Sequence, residues 1–272
     1  MFYSEPTTTP QRIGLVKNAC EGCRSGKELD FTFSMAFQPI YDVGSERVWG
    51  YEALIRGTAG EGAYQVLSKV QPEQKYLFDQ SCRVKAIELA AGLFPRGNDL
   101  KLSINFMPNA VYEPAACLRA TLAAACTHDF PRRSMMFEFT ESEEIADTNH
   151  LLRIIAEYRR QGFITAIDDF GAGFAGLGLL ADFQPDLLKI DMKIIRDVDT
   201  DRARQAIVRG IVGMARELDI TVLAEGIETE AEFVMLKAAG IALFQGYYFA
   251  RPAFEALPPI MQGITPALTA VA

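Results

Sequence analysis

Seven places along the chain carry oxygen-donor or cationic side chains in patterns suited to metal and phosphate chemistry. Glu52 opens Glu52-Ala53-Leu54-Ile55-Arg56, Asn105 lies in Ser-Ile-Asn-Phe, and Glu138 and Glu141 frame Glu-Phe-Thr-Glu. Asp168-Asp169 precede Phe170-Gly171-Ala172-Gly173, Lys189 and Asp191 frame Lys-Ile-Asp, Glu225 and Glu228 frame Glu-Gly-Ile-Glu, and Gln245 opens Gln-Gly-Tyr-Tyr-Phe. Carboxylates gathered in one pocket raise one another's pKa, and divalent cations remove that cost. A donor set made of Glu, Asp and Asn oxygens favours a hard ion such as Mg²⁺ or Mn²⁺ over zinc. A carboxylate shared between two ions ~3.5–4 Å apart suits in-line attack on a phosphodiester. Lys189 would then orient a bound water or neutralise developing charge.

Those residues meet only if the fold gathers them. Apolar or β-branched runs at 35–43, 48–55, 100–106, 134–140, 163–169, 186–192, 221–227 and 242–249 predict eight strands. Between most of them lie helix-length segments, including 74–93, 149–162, 201–219 and 228–240. In the third of these, Ile207, Ile211 and Met214 fall on one predicted helix face. Gly162 and Gly240 stand where helix C-caps belong. Strand–helix alternation implies parallel pairing, and eight such strands imply a closed α/β barrel of the TIM type. Only Gly44-Ser45-Glu46-Arg47 separates the first two strands. A parallel crossover needs a dozen or more residues, so this pair must be an antiparallel hairpin and the first strand runs against the others.

In such a barrel the C-terminal ends of the strands converge on one rim. Each fragment has a plainer reading alone: Asp-Asp before Phe-Gly as a turn, Lys189 as a snorkelling lysine, Glu225 and Glu228 as a solvated first helical turn. Six successive strands each placing a ligand-type residue near the same end is what a solvated surface would not do. Asp168 and Asp169 reach one site only if the strand ends there and the chain turns, because strand neighbours point to opposite faces.

Composition bounds the rest. The chain has 272 residues, 49% of them hydrophobic and 23% charged, which excludes a disordered polymer. A formal net charge of −8 argues against a duplex nucleic-acid surface. No apolar run is long enough for a membrane segment, and the start, MFYSEPTTTPQR, lacks the pattern of a signal peptide. Five cysteines, an odd number in a chain this long, fit a reducing cytoplasm better than a disulfide scaffold. The expected divisions are an N-terminal arm over 1–30 with Cys20 and Cys23, a barrel over 31–258 and a tail over 259–272.

The motifs, in this order and spacing, resemble the EAL-domain family of bacterial cyclic di-GMP phosphodiesterases. The similarity spans about Met35 to Pro252 and includes FQPI, EALIR, SINF, EFTE, DDFGAG, PDLLKID, AEGIET and QGYYFARP. It is nearest the subgroup often joined to blue-light-sensing flavin domains. The resemblance implies hydrolysis of cyclic di-GMP to linear pGpG, with two Mg²⁺ or Mn²⁺ ions per site, Ca²⁺ inhibitory, and a homodimer. It implies Glu52, Asn105, Glu138 and Asp168 as ligands of one ion, and Asp168 and Asp169 as ligands of the second, with Glu225 beside it. It implies Lys189 as the holder of the nucleophilic water and Glu225 as a base. Gln38, Leu54 and Arg56 match substrate contacts. Gln245, Glu141, Glu228 and Asp191 match supporting positions.

The chain departs from the family where the common loop DFGTGYSSL becomes DFGAGFAGL, so that Ala172, Phe174 and Ala175 each lack a hydroxyl. Gly57 stands where Trp is common. No metal ligand is lost. A rival reading is a barrel that binds the dinucleotide as a receptor without turnover; another is a partner-binding barrel indifferent to it. Cys20 and Cys23 have the spacing of half a zinc knuckle but lack two further ligands. His128 and His150 are expected on the surface, and Trp49 in packing.

Overall fold

The computed structural model describes residues 29–140, 147–173 and 176–261. The arm with Cys20 and Cys23, Glu141, Phe174, Ala175 and almost all of the tail lie outside the described residues. Strands β1 (Phe33–Asp42), β2 (Arg47–Gly57), β3 (Lys101–Asn105), β4 (Met135–Thr140), β5 (Ile164–Phe170), β6 (Leu187–Ile190), β7 (Thr221–Ala224) and β8 (Leu243–Phe244) close into a barrel, with β1 joining β2 to β8. β1 is antiparallel to both neighbours and the other pairs are parallel. This is a TIM-type α/β barrel with its first strand reversed, as the four-residue connection requires.

The helices are α1 (Ala63–Leu67), α2 (Lys75–Leu93), α3 (Pro114–Thr127), α4 (Thr148–Arg160), α5 (Gly176–Asp182), α6 (Met192–Ile195), α7 (Arg202–Glu217) and α8 (Glu230–Ala238). Gly162 and Gly240 do terminate α4 and α8, at φ +82° and +97°. The buried face of α7 is Val208, Ile211, Val212 and Ala215, whereas Ile207 is 50% exposed. Ile211 and Met214 pack as expected, and Val208, Val212 and Ala215 complete the buried stripe in place of Ile207.

The last strand also differs. An eighth strand over 242–249 is cut to two residues, because the chain turns after Phe244 and Gly246 packs against the β7 loop. A Cβ on Gly246 would sit 2.2 Å from the Ile227 carbonyl oxygen, so only glycine allows this approach. A ninth strand, β9 (Ala253–Phe254), pairs antiparallel with Ala36 and Phe37 of β1, outside the barrel order. It was not visible as an apolar run.

Strand alternation separates two apolar layers. The larger lies between the barrel and its helices. The smaller fills the barrel floor with Ile40, Met136, Ala166, Leu187, Leu223 and Leu243. Trp49 packs against that floor. Of the cysteines in α2 and α3, Cys117 is buried, Cys82 half-buried and Cys126 exposed. No described helix is long and apolar enough to cross a membrane.

Candidate functional site

The floor residues predict the site by simple counting. Side chains two apart on a strand share a face. Two residues beyond Met136, Ala166, Leu187, Leu223 and Leu243 stand Glu138, Asp168, Lys189, Glu225 and Gln245. On reversed β1 the count runs backwards, from Ile40 to Gln38, which lies opposite Glu52 in register. Asn105 lies beside Glu138 in the β3–β4 register. An apolar floor is therefore capped by one polar layer.

Lys189 sits at the centre of that layer and is 1% exposed. Its Nζ lies 2.5 Å from Glu225, 3.0 Å from Asp168, 3.1 Å from Glu138 and 3.6 Å from Glu52. Asn105 donates to Glu52 at 3.1 Å and to Glu138 at 2.9 Å from the exposed rim. Gln245 donates to Glu52 at 2.7 Å and to Gln38 at 3.3 Å, while Gln38 donates to the Ala250 carbonyl. The Gln245 Oε1 is buried and finds no partner among the described residues. Ser103, which sequence reasoning missed, donates to Glu138 at 2.5 Å. It stands two residues before Asn105 on the inward face, a signal that period-2 counting offered.

One ammonium faces four carboxylates. Burial would depress Lys189, but Asp168, Glu138, Glu225 and Glu52 outweigh it and hold the ammonium well above its usual range. Burial first, then like-charge neighbours, push the Glu138 and Glu225 carboxyls far up. Asp169 is pushed up to about 7 by burial, by Asp168 and by its hydrogen bond with Asp191. The layer carries more anionic capacity than its single cation balances, and all of its donors are oxygens. This fits hard divalent cations. Asp168, Asp169 and Glu225 bring their carboxylate oxygens within 4.8 Å of one another.

Asp169 joins that group by a route different from the expected end of the strand. β5 continues through Phe170, and its ladder with β6 is irregular between Ile167 and Phe170. Asp169 adopts φ +55° at that irregularity. Two adjacent carboxylates thereby face one side, at a left-handed backbone position that Asp tolerates better than bulkier residues. Asp191 caps α6 through the Lys193 amide at 2.8 Å and touches Asp169.

The remaining expected positions divide. Leu54 and Arg56 continue the inward-facing series of Glu52 and are half-buried; Arg56 donates to the Ile55 carbonyl. Glu228 is not in the polar layer. It pairs with Arg196 at 3.0 Å, while Glu232, also paired with Arg196, accepts from the Glu228 and Thr229 amides. That arrangement anchors the loop following Glu225, and Thr229 completes a capping box on α8. Neither Glu225 nor Glu228 lies in a first helical turn, since α8 starts at Glu230. His150 meets the Val111 carbonyl and His128 is exposed; neither lies in the polar layer.

Comparison with known proteins gives this architecture a family. The EAL domain family model matches residues 27–252. The blue light- and temperature-regulated antirepressor BluF of Escherichia coli K12 is 32% identical over 243 residues, covering 87% of this chain and 60% of BluF. The cyclic di-GMP phosphodiesterase PA2567 of Pseudomonas aeruginosa is 30% identical over 81% of this chain and 38% of its own length. The chain thus spans less than two thirds of these relatives. A standalone EAL protein of Vibrio cholerae O395, solved with c-di-GMP bound, shares 52% identity at TM-score 0.84, covering 88% of this chain and 99% of that one. Klebsiella pneumoniae BlrP1, solved with manganese and cyclic di-GMP at pH 9.0, shares 35% identity at TM-score 0.77, covering 82% of this chain and 56% of its own. The reversed first strand, the acidic layer above the barrel floor and the match over 27–252 together make this chain a member of the EAL domain family.

Proposed function

We propose that the chain is a metal-dependent phosphodiesterase that hydrolyses cyclic di-GMP to linear pGpG. The observation that carries this reading is the surplus of carboxylates around the single buried Lys189. Relatives named as cyclic di-GMP phosphodiesterases and solved EAL proteins holding that dinucleotide support the choice of substrate.

Glu52, Asn105, Glu138 and Asp168 would hold one Mg²⁺ or Mn²⁺, and Asp168 and Asp169 a second, with Glu225 beside it. When bound, such a pair supplies Lewis acidity and lowers the pKa of coordinated water. Lys189 keeps its proton, because the surrounding carboxylates hold it charged. Its role is to orient the attacking water and to balance charge on the phosphoryl oxygens. Glu225, 2.5 Å from Lys189, would stand beside the attacking water as its base. Gln38, Leu54 and Arg56 would contact the substrate, with Arg56 suited to a phosphate. Gln245 orders Glu52 and Gln38 against each other. A homodimer is part of the reading; Leu177 on α5 and Met192 on α6 expose 69% and 45% of their surface near the same rim.

The test is product formation by the purified chain with Mg²⁺, Mn²⁺, Ca²⁺ or chelator. Metal-dependent pGpG, absent in chelator and suppressed by Ca²⁺, is the expected result. Tight binding without product in any metal would make the protein a receptor. Neither binding nor product would overturn the reading altogether.

A further inference from the structure

Outside the polar layer, one buried ionic cluster has no part in the chemistry above. Arg83 of α2 is fully buried, and so are its partners. Its guanidinium lies 2.6 Å from Asp79, one helical turn earlier, and donates to the Tyr158 hydroxyl of α4 at 2.5 Å. It also lies over the rings of Phe106, Phe137 and Tyr158, at 5.4, 5.5 and 5.7 Å from their centroids. Its Nε finds no hydrogen-bond acceptor among the described residues, and three ring faces lie within cation–π distance of the guanidinium.

Two of those rings stand next to expected ligands. Phe106 follows Asn105, and Phe137 precedes Glu138. Strand alternation sends the ligands inward and their neighbours outward, onto the guanidinium. The backbone is held at the same point. The Phe106 amide donates to the Glu138 carbonyl at 2.9 Å, and the Met107 amide donates to Asp79 at 2.9 Å. Asn105 closes β3 at the exposed rim, held inward by its hydrogen bonds to Glu52 and Glu138 and outward by the backbone next to it.

We infer that Asp79, Arg83 and Tyr158 are positioning residues for the metal site, clamping the ends of β3 and β4 from outside so that Asn105 and Glu138 meet in register. The inference rests on the metal-site reading above. A lysine at position 83 would keep the charge but lose the planar fork that faces three rings and two oxygens at once. Phenylalanine at 158 would keep the ring and lose only the hydroxyl.

The test compares full-length Arg83→Lys and Tyr158→Phe with a control, Val212→Ala, which opens the outer layer under α7 on another side of the barrel. Three quantities are read: the melting temperature without metal, the Mn²⁺ dissociation constant by calorimetry, and the Asn105 side-chain amide resonance. Outer partners of ligands typically change metal affinity by about 10–100-fold. The expected result is Mn²⁺ binding weakened at least about tenfold and a displaced Asn105 resonance in both clamp variants. The control should lose melting temperature while keeping both readouts. Clamp variants that lose only melting temperature would overturn the inference and leave the cluster a packing element. If the wild type takes up no Mn²⁺, the proposed function fails. The Asn105 resonance then decides the clamp by itself: displaced in the variants sustains it, unmoved overturns it. Tyr158→Phe keeps the comparison available should Arg83→Lys not fold.

Discussion

Two buried ionic clusters sit on opposite sides of the same strand ends, and their charge balance differs. Outside the barrel, one guanidinium meets one carboxylate, a phenol hydroxyl and three ring faces. Inside, one ammonium meets four carboxylates. Burial of charge is costly in both places. The outer cluster pairs one cation with one carboxylate, so taking away a partner should hurt the fold. The inner layer has anionic capacity to spare, so taking away a carboxylate should hurt function while easing repulsion. Charge imbalance, more than burial, distinguishes a site from a strut.

The largest effect tests the inner side. Glu52→Ala and Glu138→Gln should each abolish hydrolysis, a loss of roughly a thousandfold or more if metal binding supplies several kcal/mol of transition-state stabilisation. Without metal, Glu138→Gln should melt at or above the wild-type temperature, because the lost group is a carboxyl whose ionisation the site opposes. Surviving activity would break the two-ion assignment. A large fall in melting temperature would show that the layer is balanced after all.

The outer side should answer with the opposite sign. Arg83→Met leaves Asp79 buried without its counter-ion, which typically costs about 3–5 kcal/mol. At roughly 2–4 °C per kcal/mol for chains near this size, that is a fall of about 6–20 °C. Thermal unfolding in chelator measures it directly. A shift within a degree or two would mean that the rings and the hydroxyl hold the region without the ion pair.

A smaller effect is expected with pH. The Asp169 carboxyl is raised to about 7, first by burial and then by Asp168. A carboxyl raised in the folded state favours the fold while protonated. Its contribution is therefore present below the ordinary carboxylate range and is lost as pH climbs through about 7. Glu138 and Glu225 shift in the same direction. Metal-free protein should accordingly lose melting temperature between about pH 4 and 8, and the rise on adding Mn²⁺ should be greater at pH 8 than at pH 5.5. An Mn²⁺-induced rise independent of pH would mean that the carboxyls are already ionised without the metal.

The two clusters were also unequally legible. Period-2 counting from the floor to the polar layer is a local property of each strand, and Glu138, Asp168 and Lys189 could be read from it. The reversed first strand followed from a four-residue connection. The Asp79–Arg83 spacing is equally local, but an i, i+4 ion pair on a helix ordinarily marks a solvated face. Only tertiary packing of Phe106, Phe137 and Tyr158 turns it into a buried clamp. The same limit explains Glu228, whose partner Arg196 is distant in sequence, and β9, whose two residues pair with a strand more than two hundred positions earlier. Asp169 lies between these cases. The need for its side chain to turn was evident, whereas the left-handed irregularity inside β5 was not.

The smallest effect concerns the loop that leaves Asp169. The Ala172 amide donates to the Asp169 carbonyl at 3.0 Å, so the turn already holds a backbone hydrogen bond. A hydroxyl at position 172 would add one neutral hydrogen bond to a turn already formed, worth about 0.5–1.5 kcal/mol at most. Ala172→Thr alone should therefore tighten Mn²⁺ binding or raise turnover by no more than roughly tenfold, and together with Phe174→Tyr, which adds a second hydroxyl, by no more than roughly a hundredfold. A gain within that range would locate a weakness of the second ion's holder in the loop. No gain would mean that the left-handed turn and the Asp191 contact already fix Asp169, and that the missing hydroxyls are dispensable. A gain of several hundredfold would mean that the inner layer is not pre-formed by its strands, and that the loop organises the second ion.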